Sequence, residues 1–304
     1  MTRGRPRGKP GASGRVLLLF LAVITGVAGY WFCARRAPEP AKAPPRTGPP
    51  PKAATPSPRP PEPRPSGVPA DFEAAGGAAT GVLALLLDDV GYEEAALSQL
   101  ASIREPVSLS VLPGTPRAAE AVALAKTKGW DLLVHLPMEP EAGRAEPNSI
   151  GSADDDAAIR ARVLAALAAV PGAIGLNNHQ GSKATADPRV MRAVLAVVKE
   201  RGLFFLDSRT TPATAVSRVA RELKVPCLVR DVFLDDAAAE AKDPAGPAGA
   251  LSASWERAIA LASRNGHAIL IAHPHRESVE FLARALPALS RRGPRPVRLT
   301  ELLD

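Results

Sequence analysis

From residue 82 onward, short apolar runs rich in aliphatic and β-branched residues alternate with Ala, Leu and Arg stretches of helical period, and no other feature narrows the possible folds as much. The runs are VLALLLD (82–88), VSLSVL (107–112), DLLVHL (131–136), AIGLN (173–177), LFFLD (203–207), CLVRDV (227–232), HAILIA (267–272) and VRLT (297–300). Helical stretches fall near 93–102, 116–128, 154–169, 187–201, 212–224, 252–265 and 276–291. Strands that are apolar on both faces and separated by single helices predict a parallel sheet covered on both sides. No Gly-rich phosphate fingerprint opens any of the helices. Seven or eight such units therefore predict an α/β fold of the closed kind, a distorted (β/α)7-8 barrel, rather than an open doubly wound sheet.

The chain before this region has a different chemistry. Residues 1–69 hold 12 Lys and Arg against 2 Asp and Glu, a charge of +10, whereas the remainder holds 26 against 29, a charge of −3. The net +7 therefore does not describe the folded part, and with only 4% aromatic residues the sequence argues against a nucleic-acid partner. Residues 16–33, VLLLFLAVITGVAGYWFC, are free of charge, follow a basic tail (1–15) and end in the aromatic pair Tyr30 and Trp31. That pattern predicts a transmembrane anchor with its N-terminus in the cytoplasm, because Arg3, Arg5, Arg7, Lys9 and Arg15 outnumber Arg35 and Arg36 on the far flank. Residues 34–79 read as a Pro-rich disordered linker, with 14 prolines between 37 and 69 that favour an extended spacer. The domain at 80–304 is then expected outside the cytoplasm, tethered to the membrane. Cys33 and Cys227 lie on opposite sides of the linker and are not expected to pair.

In a barrel of parallel strands, reacting groups collect at the C-terminal ends of the strands. Here Asp88 and Asp89 end the first run, His135 the third, and Asn177, Asn178 and His179 the fourth. Asp207, Ser208 and Arg209 end the fifth, and His273 and His275 follow the seventh. Four of the five histidines thus fall on one predicted face, with His267 alone opening a strand at the opposite end. Imidazoles and a carboxylate from separate strands match a divalent-metal site with positions open for water and substrate, zinc being the commonest occupant of such a ligand set. Within the adjacent Asp pair, one carboxylate can hold metal while the other accepts a proton. Asp154, Asp155 and Asp156 read as helix-capping residues. Asp235 and Asp236 read as solvated loop residues before a Pro/Gly-rich insertion at 243–249.

The motifs LALLLDDVGY, LLVHLPMEP, IGLNNHQGSKAT, FFLDSRTT and HAILIAHPH, in this order, resemble the divergent polysaccharide deacetylases, a distant branch of the NodB-like carbohydrate esterases. The resemblance covers roughly residues 80–303. It implies a distorted barrel and metal-dependent removal of acetyl groups from a cell-envelope polysaccharide, a metal-activated water attacking the acetyl carbonyl. By the same resemblance, Asp88 is the catalytic base, Asp89, His135 and His179 are the metal ligands, and His273 is the general acid. Asn178, Asp207, Arg209 and His275 are candidates for binding or orienting substrate, with the Asp207 and Arg209 pair equally readable as structural. The two metal histidines stand 44 residues apart instead of sharing one helical turn as H-x-x-x-H, so the site must be assembled from separate strands. A different class of function uses the same residues: a non-catalytic envelope protein whose barrel mouth binds glycan or recruits a partner.

Overall fold

The computed structural model describes residues 81–236 and 246–303, together with Met1. The predicted basic tail, the apolar run 16–33 and the Pro-rich linker lie outside the described residues. Among the described residues, no helix is long and apolar enough to cross a membrane. Those from 81 onward belong to one compact unit.

In chain order the elements are β1 (Val82–Val90), α1 (Glu94–Leu100), β2 (Ser108–Val111), α2 (Ala118–Lys128), β3 (Asp131–Met138), α3 (Asp156–Ala169), β4 (Gly175–Gln180), α4 (Pro188–Glu200), β5 (Phe204–Asp207), α5 (Val216–Leu223), β6 (Cys227–Val229), β7 (Val232–Phe233), α6 (Gly246–Asn265), β8 (His267–Ala272), α7 (Arg276–Arg292) and β9 (Arg295–Val297). Local chemistry explains their ends. Asp155 caps α3 by accepting from the Ala158 N–H at 2.7 Å, in keeping with the capping expected of the Asp154–Asp156 run. Asp187 caps α4 while Pro188 occupies the first turn, where a missing N–H costs nothing. α6 begins six residues before the predicted 252, because Pro247 within the Pro/Gly-rich segment is compatible with a first turn.

All strand pairs are parallel, and the sheet runs β6-β5-β4-β3-β2-β1-β8-β7. β9 pairs with Val82–Ala84 of β1, below the stretch of β1 that pairs with β2. The expected closed barrel is corrected in one respect. The predicted strand 227–232 is two short strands on opposite edges of the sheet, β6 pairing with β5 and β7 with β8. Only Arg230 and Asp231 separate them, so the sheet curls round until its edges are bridged by two residues of chain, and no ladder joins β6 to β7 among the described residues. Their backbone amides bond across the seam in opposite directions, Arg230 N–H to Asp207 and Asp231 N–H to Ile269.

The strand pleat sorts side chains into two cores. Ala84, Leu86, Leu133, Phe204, Leu206, Ile269 and Ile271 fill the inside of the curl. Leu83, Leu85, Leu87, Val134, Leu176, Phe205 and Leu270 face the helical layer. The C-terminal segment seals the lower end: Val297 and Leu299 pack into the inner core, and Thr300 donates to Asp131 from both its N–H and its hydroxyl. The opposite end, where the strands finish, is left open for chemistry.

Candidate active site

The same pleat decides which strand-end residues reach that mouth. Asp88 continues the inward series Ala84 and Leu86, His135 continues Leu133, and His273 continues Ile269 and Ile271. Asn177 and His179 are inward on β4, out of phase with the outward Leu176. Because β3 and β4 are adjacent and in register His135 to Asn177 and Pro137 to His179, the two histidines are diagonal neighbours despite their separation in sequence.

Asp89 is out of phase with Asp88 and would face the helices in a regular strand. It does not, because β1 carries a bulge: Leu87 pairs with Leu109 and Val90 with Val111, so Asp88 and Asp89 together oppose Ser110. Such an insertion re-aims a side chain. Asp89 takes the left-handed conformation (φ 54°), tolerable for Asp, and Gly91 follows at φ 125° with its Cα too close to Thr115 for a Cβ to fit. The D-D-V-G segment thereby turns both carboxylates into the mouth.

There, Asp89 Oδ1 lies 3.0 Å from His135 Nε2 and 2.8 Å from His179 Nδ1, and the two nitrogens are 3.1 Å apart. Asp89 Oδ1 is buried, yet neither imidazole contact has hydrogen-bond geometry toward it. An oxygen and two nitrogens mutually about 3 Å apart suit a single ion with ligand bonds of about 2.0–2.2 Å, so the donor set and its spacing fit a divalent metal. Burial raises the Asp89 carboxyl, but the two imidazoles outweigh it and hold this group far below the usual carboxylate range. Burial lowers His135, but Asp88 and Asp89 outweigh it and the imidazole is raised.

Asn177 ties this cluster to the rest of the mouth. Its Oδ1 accepts from the Ser110 hydroxyl and lies 3.0 Å from His135 Nδ1. Its Nδ2 is 2.9 and 3.0 Å from the two oxygens of Asp88 and 3.1 Å from Ser208 Oγ. Asp88 is only 1% exposed, and burial pushes its carboxyl up, with His135 and His273 pulling it partly back.

On the other side of Asp89, His273 Nε2 stands 4.0 Å from Asp89 Oδ2. Asp235 holds the far side of the ring: Oδ1 is 2.9 Å from His273 Nδ1, while Oδ2 accepts from the His273 backbone N–H and the Ser278 hydroxyl. Burial lowers His273, but Asp235 outweighs it and the imidazole is pushed up to about 9. Phe233 stacks on the same ring at 5.8 Å. The expectation that Asp235 is solvated is therefore corrected: the acid is buried and satisfied by three donors. It lies in phase with the inward Phe233, so the strand-end rule applied to the short β7 points to it.

The remaining candidates sit elsewhere. Asn178, in phase with Leu176, accepts from the Ser208 N–H and donates to the Gln180 carbonyl. Asp207 accepts from the Arg209 backbone N–H and the Thr214 hydroxyl, which closes the 207–214 loop. Arg209 is exposed and left-handed (φ 49°). None of the three joins the cluster. His275 lies at the N-terminus of α7, exposed, its ring 5.8 Å from that of His273.

A family description, divergent polysaccharide deacetylase, matches residues 85–303. The chain belongs to this family. An uncharacterized protein of Haemophilus influenzae is 35% identical over 205 residues, covering 67% of this chain and 70% of that one. The uncharacterized protein YibQ of Escherichia coli K12 is 36% identical over 203 residues, covering 66% of this chain and 61% of its own length. A crystal structure of an uncharacterized protein from Agrobacterium tumefaciens C58 superposes with a TM-score of 0.66 at 22% identity, covering 74% of this chain and 90% of that one, which is a likeness of fold.

Proposed function

We propose that the mouth is the active site of a metal-dependent deacetylase that releases acetate from an acetylated polysaccharide of the cell envelope. The observation that carries this reading is the convergence of Asp89, His135 and His179 between an inward carboxylate, Asp88, and an inward imidazole, His273. Asp89, His135 and His179 would hold the ion, zinc being the usual occupant of one carboxylate and two imidazoles. A divalent ion in that place supplies a Lewis acid that polarises the acyl carbonyl and eases deprotonation of water.

The chain's own residues supply the proton traffic. Asp88, raised by burial and held through both oxygens by Asn177, is the base that takes the proton from the attacking water. Carbon–oxygen bond formation at the acetyl carbon is followed by rupture of the bond to the sugar nitrogen or oxygen. His273, kept protonated by Asp235, delivers its Nε2 proton to that leaving atom. The test is acetate release by the purified full chain on a panel of N- and O-acetylated glycans. Release from at least one supports the reading; binding of a glycan without release from any overturns it in favour of a binding module.

The setting belongs to the same proposal. The apolar run 16–33 behind a basic flank supports a membrane tether with the domain outside the cytoplasm. A reporter fused after residue 36 should be active only outside the cytoplasm, and activity confined to the cytoplasm contradicts the tether's orientation.

A further inference from the structure

Two cavities open where the strands finish, and one side chain belongs to both. The larger, about 500 Å³, includes Asp89 in its wall and extends past Glu93 to His275 and Glu277 at the start of α7. The smaller, about 200 Å³, lies over the loops after β2 and β3 and is walled by four prolines, with Glu146 and Asn148 on its rim. Tyr92 lines both. Its side chain is 50% exposed, and among the described residues it is the one exposed aromatic, the other aromatic rings being packed in the cores or partly covered.

The position is held firmly. Tyr92 follows the bulged D-D-V-G turn, and that turn is pinned to the loop after β2 by the Arg117 N–H to Gly91 carbonyl bond at 2.8 Å and the Leu112 N–H to Val90 carbonyl bond at 3.3 Å. An aromatic face left in water yet rigidly presented beside a reaction centre is suited to cover the apolar C–H face of a sugar ring. The proline walls contribute few backbone donors, so the smaller lobe contacts its occupant mainly through shape. The rim charges are acidic: Glu93, Glu146 and Glu277 face the lobes, while Arg276 is bound to Glu280 at 2.8 Å. Burial, Glu146 and Asp89 together push the Tyr92 hydroxyl up.

We infer that Tyr92 divides a two-lobed groove that holds successive sugars of an uncharged linear polysaccharide on either side of the reacting unit, a claim that rests on the deacetylase reading and specifies its substrate. A polyuronate is disfavoured because its carboxylates would face Glu93, Glu146 and Glu277. A single acetylated sugar fills one lobe only and forgoes the second.

The experiment measures acetate release by the metal-loaded full chain on one- to six-unit oligomers of β-1,4-linked N-acetylglucosamine, on matching oligomers of an O-acetylated neutral xylan, and on an O-acetylated polyuronate. For the neutral glycan accepted, kcat/KM should rise over the first few units, and the polyuronate should be the poorest substrate. Tyr92→Ala should lower kcat/KM on the longest oligomer about three- to tenfold and flatten the length dependence, Tyr92→Phe should keep it, and Ile174→Ser, an exposed apolar site at the other end of the barrel, should leave the series unchanged. Release with no length dependence in the wild type, a steep rise surviving in Tyr92→Ala, or preference for the polyuronate would overturn the groove while leaving the deacetylase standing. If nothing releases acetate the deacetylase reading falls, and calorimetric titration with the six-unit oligomers then decides the groove: weaker binding by Tyr92→Ala upholds it, and equal binding or none refutes it.

Discussion

The amide of Asn177 touches Asp88 and His135 at once, its Nδ2 2.9 Å from Asp88 and its Oδ1 3.0 Å from Nδ1 of His135. With the Ser110 hydroxyl also donating to Oδ1, the amide is oriented so that His135 presents an N–H at Nδ1 and leaves the Nε2 lone pair facing Asp89 and His179. Replacing Asn177 by Ala removes that orientation without touching a ligand. Metal affinity should fall about 10- to 100-fold, as is typical when a partner behind a ligand is lost. Titration with zinc alongside a thermal melt checks this; unchanged affinity in a folded variant would show that the amide does not set the ring.

Asp88→Asn keeps the side chain's shape and removes its capacity to take a proton. Activity should drop about 100- to 10,000-fold while bound metal stays stoichiometric, because Asp88 is not one of the three converging ligands. Loss of the metal together with activity would reassign Asp88 to the ligand set.

The basic limb of the rate profile should report His273 in its protonated form. Asp235 holds that imidazole at about 9, above its ordinary 6.5, so the wild-type rate should decline only as pH approaches that range. In Asp235→Asn the charge that raises the imidazole most is gone, and the limb should move to lower pH. The linked stability has the same sign: the contribution of this pair is fully present below pH 6.5 and is lost as pH rises through about 9. A basic limb that stays in place in the variant would remove His273 from the acid role.

Metal binding should release a proton. His135 is raised by Asp88 and Asp89, and it must be neutral to offer Nε2, so affinity should weaken as pH falls through the raised value of this imidazole. Calorimetry in buffers of different ionisation enthalpy counts the protons released. A binding reaction that releases none would mean that His135 does not ligate through Nε2.

Much of this arrangement is legible in the sequence because parallel strands report themselves as apolar runs, and their last residues are where a barrel keeps its chemistry. Asp88, His135, His179 and His273 follow from that rule alone. The turn of Asp89 into the mouth does not, since a bulge is set by pairing with β2 and by two left-handed residues, neither visible in a single strand's pattern. Asp235 and His273 meet across 38 residues of sequence, a contact that exists only once the short β7 has docked on β8. The run 227–232 reads as one strand because its apolar pattern is continuous, whereas the curl of the sheet forces it to change edges at Arg230 and Asp231. Asp207 ends its strand as Asp88 and His135 do, but at β5 the pleat turns it toward Thr214 and away from the inward Leu206.

Metal-dependent catalysis at this mouth is decided by acetate release from one purified sample of the full chain in three successive states: loaded with one equivalent of zinc, stripped by a chelator, and reloaded. The wild type should show release, loss and recovery in that order, with His179→Ala failing at the first step for want of bound metal. Undiminished release from the stripped protein, or full metal content in His179→Ala, would contradict it.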